Sequence, residues 1–444
     1  MLTNIFVRLH FFWSKMGSNN AKSASHEDPL SPDEREKIKD GFHKVAGSSS
    51  AASHEKLQAL WQGRATKELL ELILAQLGSS PITFNRLATL YVHAVRGSVD
   101  EQAALLVALA SKGGKSCTSG QVVALVEGVT ASYLQAAGQA WSQLPVGPLS
   151  LLSSCLCHDL LFPGKSTKQT LMSAAPMDLA VTEMEASKWL AAAPPGLLAM
   201  QAAVFEKIFL NADPNVGKKR LFPLCEGLPS AKATILDQAA VAFLATAVPS
   251  DCRKNWRFLF SSVVHGESFS KMLGSVVWKG PTIILVQDAG GHVFGGFAVA
   301  SWNVGPKFVG DNRCFLFNLR PKMAIYPTSG YNEHFQYLNV QQQTMPNGLG
   351  MGGQLDYFGL YLDANYGKGF CSESCTTYHS PMMSTSKQFD VSHVEVWAIG
   401  PPPPTPEELG ERSSVLDRDN EAKALLAMVG KEQKSEGLRE PDES

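Results

Sequence analysis

The chain has 444 residues, which at ~150 residues per domain corresponds to about three folding units. Charged residues make up 18% and the hydrophobic set 44%, enough apolar surface for packed cores, which excludes global disorder. Lys plus Arg is 39 against 41 Asp plus Glu, a net of −2, so the positive field that phosphate backbones reward is missing and nucleic acid is excluded as the main partner.

Residues 1–30 read as a flexible N-terminal segment. The apolar opening MLTNIFVRLHFFWSK is interrupted by Arg8 and His10 and lacks a basic leader and a small-residue cleavage site, so it makes a poor secretory signal. No apolar run in the chain reaches the ~18 residues of a membrane-spanning helix. Met16-Gly17-Ser18-Asn19-Asn20-Ala21 follows. If translation begins at Met16, Gly17 becomes terminal and approaches the myristoylation pattern, with Ala21 where Ser or Thr is preferred. Acylation of Gly17 and a chance Met-Gly pair both remain open. A single myristoyl chain holds a membrane only marginally, so contact through it would be weak and reversible.

Residues 31–248 carry helical periodicity. Ser31-Pro32-Asp33-Glu34 is a helix start: the Ser31 hydroxyl can accept a backbone N–H, Pro32 suits the first turn and Glu34 can reach back. Ser98-Val99-Asp100-Glu101 and Thr118-Ser119-Gly120-Gln121 repeat that logic. Leu57, Leu60, Trp61, Leu69, Leu70, Ile73, Leu74 and Leu77 form one apolar face. Further helices are expected near 82–94, 99–111, 120–137, 148–161, 178–193, 196–211 and 232–247, punctuated by Ser, Gly and Pro clusters, so this region reads as a stack of short helix pairs. It contains no Asp-x-Asp-x-Asp-Gly loop, and helix pairs of EF-hand-like form would lack calcium's oxygen ligands.

The texture changes at about 249. Of the 39 aromatics 23, and of the 37 glycines 18, fall between 250 and 400, the mark of tightly turned strands. Strands are expected at 282–287, 293–302, 313–319, 323–326, 335–340, 357–363 and 392–399, with Asp288-Ala289-Gly290-Gly291 as a hairpin turn and a helical patch at 268–273. This points to a sheet-on-sheet core. Residues 401–444 begin with a proline-rich spacer and hold eleven acids against six bases. Within them Asp419 to Val429 reads as a short helix with Ala422, Leu425, Leu426 and Val429 on one face. Eleven residues are marginal as a lone helix, so it is expected to dock on its own chain or on a partner.

Motifs for chemistry mostly fail. Gly114-Lys115-Ser116 and Gly164-Lys165-Ser166 lack the leading glycine of a phosphate loop, having Leu109 and Asp159 there. Gly348-Leu349-Gly350-Met351-Gly352-Gly353 matches a dinucleotide pattern, but a strand-like run follows it where a helix is required, and glycines packed closely in a sheet are the better reading. Cys371, Cys375 and His379 have metal-like spacing without a second ligand pair, and read as two reduced cysteines in a loop. His265, Glu267 and Ser268 have no nucleophile elbow or His-Glu-x-x-His helix around them and read as turn or packing residues. The eight cysteines are too few for a disulfide scaffold and fit a reducing, cytosolic setting.

Phe260-Ser261-Ser262-Val263-Val264-His265-Gly266-Glu267-Ser268-Phe269, Phe294-Gly295-Gly296-Phe297-Ala298, Phe358-Gly359-Leu360-Tyr361-Leu362-Asp363, Cys375-Thr376-Thr377-Tyr378 and Val394-Glu395-Val396-Trp397 together resemble a TLDc domain. Gln354, Tyr361 and His379 depart from the glycine, Trp and Asn more common in that family. The whole layout from Met16 resembles the mTOR-associated branch of TLDc proteins. The resemblance implies an α+β multidomain protein: an all-α, EF-hand-like region without calcium loops at 31–248, a two-sheet antiparallel β-sandwich with flanking helices at 249–400, and a proline-rich linker with an acidic C-terminal helix at 401–444. It further implies association with the V-ATPase, through its catalytic sector, and a part in nutrient signalling through mTOR components, on the cytosolic face of the lysosomal membrane. A non-enzymatic regulator with no cofactor or metal is therefore expected, with Gly17 as the lipidation site and Leu425, Leu426 and Val429 as the partner contact. A TLDc-type oxidation-resistance protein with a catalytic activity near His265, Glu267 or Cys375 is the alternative.

Overall fold

A computed structural model describes residues 29–403, apart from 79, 138–142, 194, 215–220, 229–233 and 356. A helical region precedes an antiparallel sheet region. The helices are α1 (Pro32–Ala46), α2 (His54–Trp61), α3 (Lys67–Leu77), α4 (Phe84–Arg96), α5 (Val99–Ala110), α6 (Ser119–Ala137), α7 (Leu149–Leu156), α8 (His158–Leu161), α9 (Glu183–Ala192) and α10 (Pro195–Leu210). The expected starts are realised as reciprocal caps. The Ser31 and Ser98 hydroxyls accept from the N–H of Glu34 and Glu101, whose carboxylates reach back, and Thr118 and Gln121 exchange the same two bonds.

The helices come in pairs whose connecting loops touch. The α1–α2 and α3–α4 loops meet at an isolated antiparallel bridge between Ala52 and Ile82. The α5–α6 and α8–α9 loops meet as two short strands, β1 (Ser116–Thr118) and β2 (Ala180–Thr182), paired antiparallel. That pairing explains one departure from the periodicity: 180–182 are extended, so α9 begins at Glu183, while the expected 148–161 helix is in addition broken at Cys157. Arg96 and the Tyr91 hydroxyl both donate to Glu34, fastening α4 to α1. Burial works against ionisation of Glu34, but the Arg96 guanidinium, the Ser31 donors and Tyr91 outweigh it and hold the carboxyl down at about 2.

The sheet region contains β3 (Leu224–Glu226), β4 (Asn255–Ser261), β5 (Thr282–Asp288), β6 (Val293–Ala298), β7 (Gly305–Val309), β8 (Phe315–Arg320), β9 (Ala324–Pro327), β10 (Gln336–Asn339), β11 (Gly348–Met351), β12 (Leu360–Asp363), β13 (Lys368–Phe370) and β14 (Gln388–Ile399), with helices α11 (Gln238–Ala247), α12 (Ser262–His265) and α13 (Phe269–Val276). Hydrogen bonding runs β7-β10-β11-β12-β13-β14-β5-β6-β8-β9, with β4 beside β14 and β3 parallel to β4. The twelve-residue β14 joins the two halves, pairing with β13 at one end and with β5 and β4 at the other. The halves face each other: a Cβ on Gly296 of β6 would lie 2.3 Å from Met351 Sδ on β11. The Asp288–Gly291 hairpin forms as expected, with the Gly291 N–H donating to Asp288 O at 3.0 Å. Strands β3, β4, β7, β11 and β13 stand where no strand was expected: glycine, proline or short length masks the alternation of β3, β7, β11 and β13, whereas β4 carries a plain alternation of Trp256, Phe258 and Phe260 that was passed over.

Two buried carboxylates fix the segment that leads into α11. Glu395 on β14 accepts from Ile235 N (2.7 Å), Leu236 N (3.2 Å), Thr234 Oγ1 (3.1 Å) and Trp397 Nε1 (2.7 Å). Asp237 caps α11 through Ala240 N at 2.7 Å and accepts from Arg320 at 2.9 Å. These bonds correct the expected 232–247 helix, which begins only at Gln238 because the N–H groups ahead of it are taken by Glu395. Gln238 and Ala239 in turn donate to Pro145 O and Val146 O of the helical region.

Candidate interaction surfaces

Glycines on β11 let rings lie flat across the sheet. A Cβ on Gly350 would sit 2.6 Å from the Phe358 ring, and one on Gly348 would sit 2.6 Å from the ring of Tyr361. The rings form a ladder: Tyr361 on Phe358 (4.9 Å), Phe358 to Tyr337 (5.5 Å), Tyr337 to Phe308 (5.3 Å) and Phe308 stacked on His334 (4.4 Å). At the β7 end it opens into a shallow concavity of about 750 Å³ lined by Pro306, Lys307, Phe308, Glu333, His334 and Gln354.

The rim of this concavity is tied down. His334 Nδ1 meets Gly353 O at 2.6 Å. Thr377 Oγ1 donates to Asn332 Oδ1 and accepts the Gly353 N–H, both at 2.7 Å, while the Tyr378 hydroxyl donates to Phe335 O. On these fixed loops Tyr331 is 78% and Tyr357 69% exposed. Rigid exposed aromatics beside mixed charge offer contact area at low entropic cost, the chemistry of a protein contact. The edge strand β7 is poorly suited to receive a further strand, since Pro306 has no N–H and Lys307 is charged. Sequence reasoning passed over this surface. Its only signal was two lone tyrosines, each beside a turn residue, in Gly330-Tyr331-Asn332 and Asp356-Tyr357.

The residues tested for chemistry are dispersed. His265 stacks between Phe258 (5.8 Å) and Phe260 (5.5 Å), its Nδ1 3.1 Å from Ser261 N, which is a packing role. Ser268 caps α13. Cys371 and Cys375 are free and buried, and burial pushes both thiols up. His379 lies at φ +51°, its N–H bonded to Cys375 O. Among the described residues no group of three or more His, Cys, Asp or Glu is placed to hold a metal. Ser261 Oγ and His393 Nε2 lie 2.8 Å apart, a nucleophile–base distance, but Ser261 has no solvent access. Ser384 Oγ donates to Asp288 Oδ2 at 2.5 Å and His292 Nδ1 lies 3.4 Å from that same oxygen, so the serine proton is directed to the carboxylate and not to the imidazole. Gly17, Leu425, Leu426 and Val429 lie outside the described residues.

A TLDc domain model matches residues 229–400. The MTOR-associated protein MEAK7 of Danio rerio is 34% identical over 441 residues, covering 93% of this chain and 96% of that protein. The chain belongs to the MEAK7 family of TLDc proteins. The Gallus gallus and Homo sapiens MEAK7 proteins are each 49% identical, over 225 and 214 residues. The chain spans about half the length of the first relatives it matches, 48% of the Gallus gallus and 49% of the Xenopus laevis protein. More distantly, nuclear receptor coactivator 7 of Mus musculus is 27% identical over 178 residues, 18% of its length. Among the described residues no helix is long and apolar enough to cross a membrane.

Proposed function

We propose that this chain is a non-enzymatic regulatory adaptor that acts in mTOR nutrient signalling at the cytosolic face of the lysosomal membrane. The observation that carries this reading is the near full-length similarity to a protein described as MTOR-associated. The sheet region at 249–400 is read as the TLDc two-layer sandwich, and the helical region at 31–248 as EF-hand-like pairs. Joined loops support that second reading, and the loops at 47–53, 78–83 and 111–118 hold no carboxylate that could bind calcium. Gly17 is the proposed lipid anchor. The V-ATPase catalytic sector is the proposed partner, bound by the aromatic surface of the sheet region together with the C-terminal helix through Leu425, Leu426 and Val429.

The test is affinity capture of the V-ATPase by the full chain. Changing Leu425 and Leu426 together to Asp is expected to lower capture at least tenfold, with the chain's expression and folding unchanged. Undiminished capture would remove the helix from the proposal. Mass spectrometry of the N-terminus in the same material checks Gly17, for which an unmodified Met1 start is the contrary result.

A further inference from the structure

The four loops that close the helix pairs are not alike. Three are seven, six and eight residues long (47–53, 78–83, 111–118), whereas the fourth, 162–182, runs to 21. Loops of that length with little structure of their own are usually functional. The first two have the sequences GSSSAAS and GSSPIT and carry no charge. The β1–β2 pair instead joins two loops that carry four exposed lysines, Lys112 and Lys115 on one and Lys165 and Lys168 on the other, with Asp178 the only acid in the two loops. None of the four forms an ion pair with a described residue. Lys168 reaches only Ser374 Oγ, at 3.5 Å.

The long loop also turns apolar side chains outward. Met172 is 95% exposed, Met177 40% and Leu179 41%. The backbone beneath them is held. Buried Thr170 meets His158 Nε2 at 2.9 Å and offers its carbonyl to Lys322 at 2.6 Å, while Met177 O and Leu179 O accept from Gly120 and Ser119. An apolar tip anchored on a fixed base and flanked by unpaired lysines is the chemistry of an anionic lipid surface: methionine enters the acyl boundary and the ammonium groups meet the headgroups.

We propose that the 162–182 loop, with the adjoining 111–115 loop, is a membrane contact that inserts Met172 and pairs Lys112, Lys115, Lys165 and Lys168 with anionic phospholipid. This deepens the membrane-surface reading above by supplying the second signal that one acyl chain needs for stable residence. The test uses the full-length chain without acylation, sedimented with vesicles of phosphatidylcholine alone or with about 30% phosphatidylserine, where each Lys adds attraction that salt screens.

The unacylated chain is expected to partition onto the serine-containing vesicles and not onto the neutral ones. Met172→Asp and the pair Lys165→Glu with Lys168→Glu are each expected to weaken that partition about tenfold. Raising salt should abolish it. Equal partition onto both vesicle types, or partition untouched by either variant, overturns the proposal. Because Met172 is on the surface, its substitution should leave thermal unfolding and V-ATPase capture from detergent extract unchanged. Loss of that capture with vesicle binding intact would make the loop a protein contact and overturn the proposal, whereas failure of capture in the unaltered chain would bear only on the adaptor reading.

Discussion

The helical and sheet regions bury comparable apolar cores, yet they encode them differently. In the helical region the instructions are local: a capping residue, its partner three positions on, then leucines spaced by three and four, as from Thr66 through Leu69, Leu70, Ile73 and Leu77. In the sheet region the decisive contacts join residues far apart, and glycine is chosen so that something else can occupy its missing side chain's place. Gly295 is the sharpest case, where a Cβ would lie 1.9 Å from Ile284 O and 2.8 Å from the Phe317 ring.

The largest expected effect follows from that contrast. Gly295→Ala places a methyl against a backbone oxygen of the paired strand, which no rotamer change relieves, so β5 and β6 must separate. A loss of about 3 kcal/mol or more is expected, at the upper end of what overpacking costs. Urea unfolding of the full chain, followed by tryptophan fluorescence, checks it through Trp256, Trp302 and Trp397, which are all fully buried in this region. A midpoint shift under a few tenths molar would mean the sheet tolerates what its geometry forbids.

The two regions also differ in a carboxyl group each, with opposite pH signs. Burial raises Glu395 above the ordinary carboxyl range, against its four donors. The folded state then binds a proton more readily than the unfolded chain, so this group costs stability as pH rises from about 4.5. Glu34 is held down at about 2, so its contribution is present above about 4.5 and is lost as pH falls toward 2. Glu395→Gln leaves a buried N–H without its acceptor and is expected to cost about 2 kcal/mol near neutrality. Glu34→Gln is expected to cost about 1 kcal/mol. Stability measured between pH 3 and 7 should lose slope below 4.5 in the Glu34 variant and above 4.5 in the Glu395 variant. Identical profiles for both would deny the distinction.

This difference in encoding explains what could be read in advance. Caps at Ser31, Ser98 and Thr118 and the Asp288–Gly291 hairpin were legible because each depends on residues within four positions. The late start of α11 was not, because Glu395 lies about 160 positions from the N–H groups it takes. Strand β7 was hidden because Gly305 and Pro306 read as a turn, and only its pairing with β10 makes it a strand. The aromatic surface was hidden for the same reason. Phe308, His334, Tyr337, Phe358 and Tyr361 come from three separate segments, and the room for the Phe358 and Tyr361 rings depends on Gly348 and Gly350 of a fourth.

The comparison predicts a reversal of sign for one and the same substitution. Gly128 lies inside α6, where a Cβ would meet only the Leu69 side chain at 3.7 Å, an ordinary contact. Alanine there removes the entropy that glycine loses on folding and adds no clash, so Gly128→Ala is expected to stabilise by about 0.5–1 kcal/mol. The Ser132 hydroxyl bonds to the carbonyl of residue 128, which the change leaves in place. Differential scanning calorimetry of the full chain would show the helical transition moved up by a degree or two and the sheet transition unmoved, if the regions unfold separately. A destabilised Gly128→Ala would show that α6 and α3 pack more tightly than their 3.7 Å gap allows, and that the helical region too depends on close approach across long separations.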